Sequence, residues 1–420
     1  MRFAPVLSSC SFAAAAITYG HNNRSPVNHA DDSEKRASKA IKRFMVKQGV
    51  PGISVGVSVN GSQRWSSGYG YSDVEQGVPC TGNTVMRIAS ISKPITAAVA
   101  ARLIENDKLD IDLHINHYLK DLPKMTYNGE ERTITSRQLM CHTGGVRHYK
   151  KVRDGENEQV DTVKKETDQE FLYNKEYKNV TEALQMFVND QLVAEPGAKY
   201  LYTTHGYTLL SAVMEKAAGE ELPNLFKQLF RELGMNSTYL DVNNTIIANR
   251  ARYYRRDKWH RLENCPEVNN SYKYAAGGLL SNVQDLLKFA NAMLYSFQSN
   301  ENSKPEPFLK AETVRKLWKG EVNTSEKTKL VMYGLGWSKV NHTERYGGLD
   351  GAESTVRTGY WCHSGGAVGA SSHLLIKPMD TNEKGSPNGI CVVLLANIQD
   401  CSLSELAHDI AEIFAEELQN

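Results

Sequence analysis

The chain has 420 residues, 40% of them hydrophobic, which suits one large core or two fused lobes and excludes a string of small modules. Its 49 basic and 48 acidic side chains leave a formal charge of +1, so there is no electrostatic footprint of a nucleic-acid or anionic-membrane binder. Seven scattered cysteines, odd in number and without a C-x-x-C pair, offer neither a zinc site nor a redox couple and fit buried thiols.

Residues 1–35 read as a targeting peptide or linker. The stretch MRFAPVLSSCSFAAAAITYGHNNRSPVNHADD carries Arg2 and Arg24 and no acid before Asp31, as in a mitochondrial presequence, while its short apolar run FAAAAITY equally fits a secretory signal. Asn60, Asn179, Asn236, Asn243, Asn269, Asn323 and Asn341 each begin an N-x-S/T sequon, usable only in a secreted protein, and asparagine is abundant enough to produce most of them by chance. No stretch is apolar enough to span a bilayer.

Folding signals begin after residue 35. SEKRASKAIKRFMVKQG predicts a helix with Ile41, Phe44 and Met45 on one face, ended by Gly49. GISVGVSV then alternates through Ile53, Val55, Val57 and Val59, turns at Asn60-Gly61 and returns as SQRWSSGYGYSD, a β-hairpin pattern. Gly52-Ile53-Ser54-Val55-Gly56 matches the G-x-S-x-G nucleophile elbow. That elbow needs a strand-to-helix turn at its serine, and Ser54 lies inside a strand, so the match is discounted.

The next segment, MRIASISKPITAAVAARLIEN, places Ser90 three residues before Lys93 at the start of an apolar helix. Residues three apart share a helix face, so the hydroxyl and the amine come within hydrogen-bonding reach. Serine is a weak nucleophile until a neighbour takes its proton, and a lysine can do so when burial lowers its pKa. Pro94 fits only a first helical turn, which sets Ser90 beside free N–H groups suited to an oxyanion. Taken alone the S-x-x-K match is weak, because serine and lysine are common.

Residues 133–149, TITSRQLMCHTGGVRHY, predict a short helix and a glycine turn. His142 and His148 fall there without an H-E-x-x-H or H-x-H-x-D spacing, so they read as structural and no metal is expected. From Lys150 to about Val180 the chain is highly charged and poor in aliphatics, the pattern of an exposed excursion without chemistry. Helical patterns resume in VTEALQMFVNDQL, YTLLSAVMEKAAG and SNVQDLLKFANAML, the last with Ser281 or Asn282 as N-cap. Strands return at YGLGWSKV, GAVGASSHLLIKP and GICVVLLANIQ, before a closing helix, LSELAHDIAEIFAEEL.

Strands at both ends with helices between them imply an α/β (α+β) fold. An antiparallel sheet is built from both termini with flanking helices, and a mainly helical lobe is inserted over about residues 100–330. Residues 36–420 form one catalytic domain in this reading, with Ser90 at the junction between the lobes.

Ser90-Ile91-Ser92-Lys93, then Tyr202-Thr203-Thr204, then His363-Ser364-Gly365-Gly366 occur in the order of the three motifs of serine β-lactamases and penicillin-binding proteins. The chain resembles the class C branch of that family, and within it the mitochondrial β-lactamase-like members of animals, through PGISVGVSVNG, VMRIASISK, GYTLL, AGGLLS, DLLKF and HSGGAVGASS. The resemblance covers nearly everything from residue 36 onward except the charged excursion.

The resemblance implies that Ser90 is the acyl-forming nucleophile and Lys93 its proton acceptor. Tyr202 would carry a proton to the leaving group, held close to Lys93 and partly as phenolate. Thr204 stands where the family has asparagine, which puts its hold on substrate in doubt. His363 replaces a lysine, so attraction for a substrate carboxylate should be weaker or pH-dependent. Ser364 and Gly365 would line the substrate strand, and the Gly366 N–H would join that of Ser90 as the oxyanion hole. Taken singly, Tyr202 reads as a core aromatic and His363 as an ordinary strand residue; only their joint order favours function.

The reading is a serine hydrolase without metal or organic cofactor, acting on a peptide or small acyl substrate. Peptide bonds are favoured over esters because an animal-type relative has little reason to destroy antibiotics. A mitochondrial location follows from the resemblance, with secretion as the alternative. A self-assembling homo-oligomeric filament with slow catalysis, and a module that acylates once and stays blocked, are the competing readings.

Overall fold

The structure, a computed structural model, describes residues 29–150, 169–325, 330–341, 343–345, 355–357, 359–380 and 387–418. Most of the residues expected to form a targeting peptide, 1–28, and the middle of the charged excursion, 151–168, lie outside them. Helix α1 (His29–Gln48) ends at Gly49, whose φ of +59° only glycine adopts freely. The boundary expected at residue 35 therefore falls inside α1.

The hairpin forms where the pattern placed it. Strands β1 (Gly52–Val59) and β2 (Ser62–Asp73) flank Asn60 and Gly61, at φ +52° and +77°, the pair of left-handed residues that a tight two-residue hairpin needs. Seven more strands complete the main sheet: β3 (Val78–Pro79), β4 (Val322–Asn323), β5 (Val331–Tyr333), β6 (Ser338–Val340), β7 (Tyr360–Ala367), β8 (Ala370–Pro378) and β9 (Gly389–Ala396). Their order is β4-β5-β6-β7-β8-β9-β1-β2-β3, antiparallel throughout. The two ends of the chain meet where β1 pairs with β9, from Ile53 opposite Ala396 to Val59 opposite Ile390.

Alternation along β1 explains the layers on either side. Ile53, Val55 and Val57 join Ile390, Val392 and Leu394 in a core closed by Ala37 and Ile41 of α1 and by Leu406, Ile410 and Phe414 of the last helix, Ser404–Glu416. Each such aliphatic, fully buried, stabilises the fold by about 1.5–3 kcal/mol. The small residues between them face the long helix Val283–Gln298. A Cβ on Gly56 would come within 2.9 Å of Leu287 Cδ1, and Ser58 Oγ donates to Asn291 Oδ1 at 2.6 Å. Ser54 is fully buried on this face and donates to the Thr81 carbonyl at 2.7 Å, so the elbow-like motif is sheet interior.

Between the hairpin and β4 the chain is mainly helical, as expected. Helix α2 (Ser92–Glu105) follows the Ser90 turn, and α3 (Ser136–Met140) opens with a capping box of Thr135 and Gln138. Then come α4 (Val180–Leu184), α5 (Thr204–Ala218) and α6 (Leu222–Glu232); Val283–Gln298 is α7, Ala311–Trp318 α8 and Ser404–Glu416 α9. Asn282 is the N-cap of α7, its side chain accepting from the Asp285 N–H. The helix expected over VTEALQMFVNDQL is confined to α4, and Asp190 beyond it is drawn out to pair with Arg147 Nε at 2.6 Å. The cysteines among the described residues are free thiols, four of six buried. Among those residues, no helix is long and apolar enough to cross a membrane.

Candidate active site

A short sheet delivers the serine. Leu280 pairs with Arg87, and Leu279 with Leu240, so the chain enters the turn Ala89–Ile91 on a fixed line. Ala89 sits at φ +49°, a conformation that costs a non-glycine residue on the order of 1–3 kcal/mol and projects the next side chain from a sharp turn. The turn is held at Ile88, whose N–H donates to the Leu279 carbonyl at 3.0 Å and whose carbonyl accepts from Ser372 Oγ at 2.7 Å. Ser90 thus lies one turn ahead of α2, and Lys93 and Pro94 occupy the helix's first turn.

Lys93 is fully buried. Its Nζ donates to the Ala276 carbonyl at 2.7 Å and lies 3.0 Å from Ser90 Oγ. Burial, with Lys273 nearby adding a like charge, holds its pKa well below the usual lysine range. A neutral amine with one N–H on Ala276 keeps its lone pair for the Ser90 hydroxyl. From the other side the Tyr202 hydroxyl donates to Ser90 Oγ at 2.8 Å. Burial pushes the Tyr202 phenol far above its ordinary pKa, so it is a neutral donor and not the partial phenolate expected from the resemblance. Lys93 Nζ lies over the face of the Tyr202 ring, 4.7 Å from its centre.

Strand β7 forms the far wall. It pairs with β6 only from Tyr360 to Cys362, so among the described residues His363–Ala367 has no strand beside it on that edge. A Cβ on Gly365 would meet Ser372 Oγ at 2.3 Å, Ile88 O at 2.6 Å and Ala89 Cβ at 2.9 Å. Glycine is required there for the strand to lie against the serine turn. A Cβ on Gly366 would meet nothing within 4 Å, so that residue borders open space, and Ser364 is exposed.

His363 departs from the expectation attached to it. It is buried, with Nδ1 donating to the Ser364 carbonyl at 2.7 Å and Nε2 accepting from the Tyr333 hydroxyl at 2.9 Å. Burial first, then the nearby Lys93, brings its pKa down to about 3. It does not titrate near neutrality, and a pH-dependent attraction for carboxylates has no basis in this geometry. Thr204 is buried at the start of α5, its N–H donating to His148 Nδ1 at 3.3 Å.

Sequence reasoning passed over three contributors. Tyr333 carried no local signal. His142 reads as structural from its spacing, and its ring centre lies 4.3 Å from that of Tyr202. Glu170 fell within the stretch read as an exposed excursion, yet it is buried. It accepts from both terminal nitrogens of Arg147 at 2.8 and 2.9 Å and pairs with His205 Nε2 at 3.0 Å. Burial alone would raise its pKa, but these bonds and the Lys150 N–H overcome that and hold it at about 2. Arg147 and His205 flank the Tyr202 turn, so the excursion is anchored at the site.

The family model for β-lactamases matches residues 37–413. The chain belongs to the β-lactamase family. It is 40% identical over 430 residues to the human "Serine beta-lactamase-like protein LACTB, mitochondrial", a match spanning 88% of this chain and 78% of that protein. Among solved structures, the octameric penicillin-binding protein homologue from Pyrococcus abyssi superposes with a TM-score of 0.66 at 24% identity, covering 92% of this chain and 77% of that one. EstCE1, a hydrolase with promiscuous acyltransferase activity, does so at 0.68 with 18% identity, covering 91% and 98%. The family is one of serine hydrolases, and its fold accounts for the large antiparallel sheet with an inserted helical lobe.

Proposed function

We propose that this chain is a serine hydrolase that works through an acyl-enzyme on Ser90. The observation that carries the reading is the proton path Tyr202 O–H to Ser90 Oγ to Lys93 Nζ, at 2.8 and 3.0 Å, ending on a fully buried amine. Ser90 attacks a carbonyl while its proton passes to Lys93, and Tyr202 gives its proton to the leaving amine or alkoxide. Water then returns a proton to the Tyr202 phenolate and attacks the acyl carbonyl as hydroxide. Ser90 leaves and recovers the proton held on Lys93. The Ser90 and Gly366 N–H groups are the proposed oxyanion donors, with Ser364, Gly365 and Thr204 lining the cleft. Residues 36–420 are the proposed catalytic domain.

Peptide bonds remain the favoured substrate, esters the second. His363 brings no cation to β7, which favours internal bonds over a residue bearing a C-terminal carboxylate. The name of the human relative supports a mitochondrial location, and the octameric Pyrococcus homologue supports testing for self-assembly. The deciding experiment incubates the protein and Ser90→Ala with a fluorophosphonate probe and chromogenic peptides and esters. Adduct and turnover should both vanish in the variant; a wild type that never labels would favour a scaffold instead.

A further inference from the structure

The turn bearing Tyr202 is held from outside its own helix. On one side of Tyr202 the Leu201 N–H donates to the His142 carbonyl at 2.8 Å, and on the other the Thr203 N–H donates to His142 Nδ1 at 3.2 Å. A single residue thus brackets the tyrosine with its backbone and its ring. The imidazole lies against the phenol, centres 4.3 Å apart and planes at 41°, and it also contacts Tyr207 and Tyr333. His142 is fully buried at φ +60°, a left-handed setting uncommon outside glycine that histidine and asparagine both enter more readily than most residues.

The neighbouring bonds extend the same device. Thr203 Oγ1 accepts from the Gly206 N–H at 3.2 Å and donates to the Arg147 carbonyl at 2.6 Å. The Thr204 N–H donates to His148 Nδ1 at 3.3 Å. Two N–H groups at the start of α5, those of Thr203 and Thr204, are therefore taken by imidazoles of the segment from His142 to His148, while that of Gly206 is met by the N-cap.

We propose that His142 is a positioning residue for Tyr202, its Nδ1 and carbonyl fixing the phenol on Ser90 Oγ for proton delivery to the leaving group. This rests on the reading of Tyr202 as proton donor. An acceptor at Nδ1 puts the ring proton on Nε2, so the imidazole must be neutral to do this. No proton passes through His142; it acts by placement, where an error of about 1 Å costs on the order of 10²-fold in rate.

The test exploits leaving groups. A p-nitrophenyl ester departs without a proton, whereas an anilide or alkyl ester needs one. In the full-length protein, with an anilide and a p-nitrophenyl ester of the same acyl group, Tyr202→Phe should slow acylation, read as the first release of leaving group before the shared deacylation step, much more on the anilide than on the ester, and His142→Leu should reproduce that imbalance with KM little changed. Its anilide kcat should fall by roughly 10²-fold. The double variant should lose no more than Tyr202→Phe alone. His142→Asn, whose Oδ1 sits where Nδ1 did, should restore most of the activity. His142→Gln, which carries its acceptor one bond further out, should not, and that pair decides the matter if His142→Leu fails to fold. Equal losses on both substrates, additive losses in the double variant, or rescue by glutamine as good as by asparagine would overturn the proposal. A wild type inert on every substrate would overturn the hydrolase reading itself, and this inference with it.

Discussion

Two buried polar clusters adjoin the Tyr202 turn, and they use burial in opposite ways. Around Lys93 the partners are hydroxyls, a carbonyl and aromatic faces, and Tyr333 and His363 continue the wall. Among the described residues no carboxylate is bonded to the amine there, so burial drives lysine, tyrosine and histidine alike toward their neutral forms. Around Glu170 the acid meets Arg147 in a bidentate pair, with Asp190 on the Arg147 Nε and His205 behind. Here pairing outweighs burial and the charge is kept. The first arrangement makes groups reactive; the second makes a framework rigid.

The comparison breaks most visibly at Lys93. Lys93→Met keeps an unbranched side chain as far as Cε and removes the buried amine, and with it the base. Turnover should fall by roughly 10²–10⁴-fold while the melting temperature holds or rises. A variant that retains turnover would sink the assignment of Lys93 as base. Tyr202→Phe should follow with a smaller loss, roughly 10²-fold on poor leaving groups, measured against unchanged Ser90 labelling.

Glu170→Gln tests the other cluster and should act on stability. Removing the carboxylate leaves Arg147 half-paired in the interior, at about 3 kcal/mol by analogy with broken buried pairs. A carboxyl whose folded pKa is depressed stabilises the fold above its unfolded value, and that contribution is lost as pH falls toward the folded one. The gap between wild type and variant in denaturant melts should be full above the ordinary glutamate value of 4.5 and close as pH falls toward about 2. A gap unaffected by acid would mean the carboxylate is not charged in the fold.

The remaining effects concern pH and His363. Turnover should rise with pH through an ionisation below the usual lysine range, as Lys93 loses its proton. His363, at about 3 in the fold, should add no inflection near neutrality. An unfolded histidine takes up its proton near 6.5, so folding weakens as pH falls from there toward 3. His363→Gln should remove up to one proton from that slope, about 1.4 kcal/mol per pH unit.

Much of this was legible locally. A two-residue period and Asn60-Gly61 specify the hairpin, and a three-residue spacing puts Ser90 beside Lys93, because such signals depend on neighbours in the chain. The order of the three motifs identified the family. Side-chain fates that depend on distant partners were not legible. His363 looked like a titrating group at a cleft until Tyr333, thirty residues earlier, was found against it. Glu170 looked solvated in a charged run until Arg147 and His205 enclosed it. Helix α4 is shorter than its apolar pattern: beyond Leu184 the chain tightens into i→i−3 turns, and the Met186 carbonyl accepts from the Arg147 guanidinium at 2.8 Å.

The sequence alone determined the sheet built from both termini and the placing of Ser90 beside Lys93, since periodicity and helix geometry are written in consecutive residues. Only the tertiary structure decided which groups are charged. Protonation follows from how much water and which opposite charge reach each group, and that is set by residues brought together from far apart in the chain.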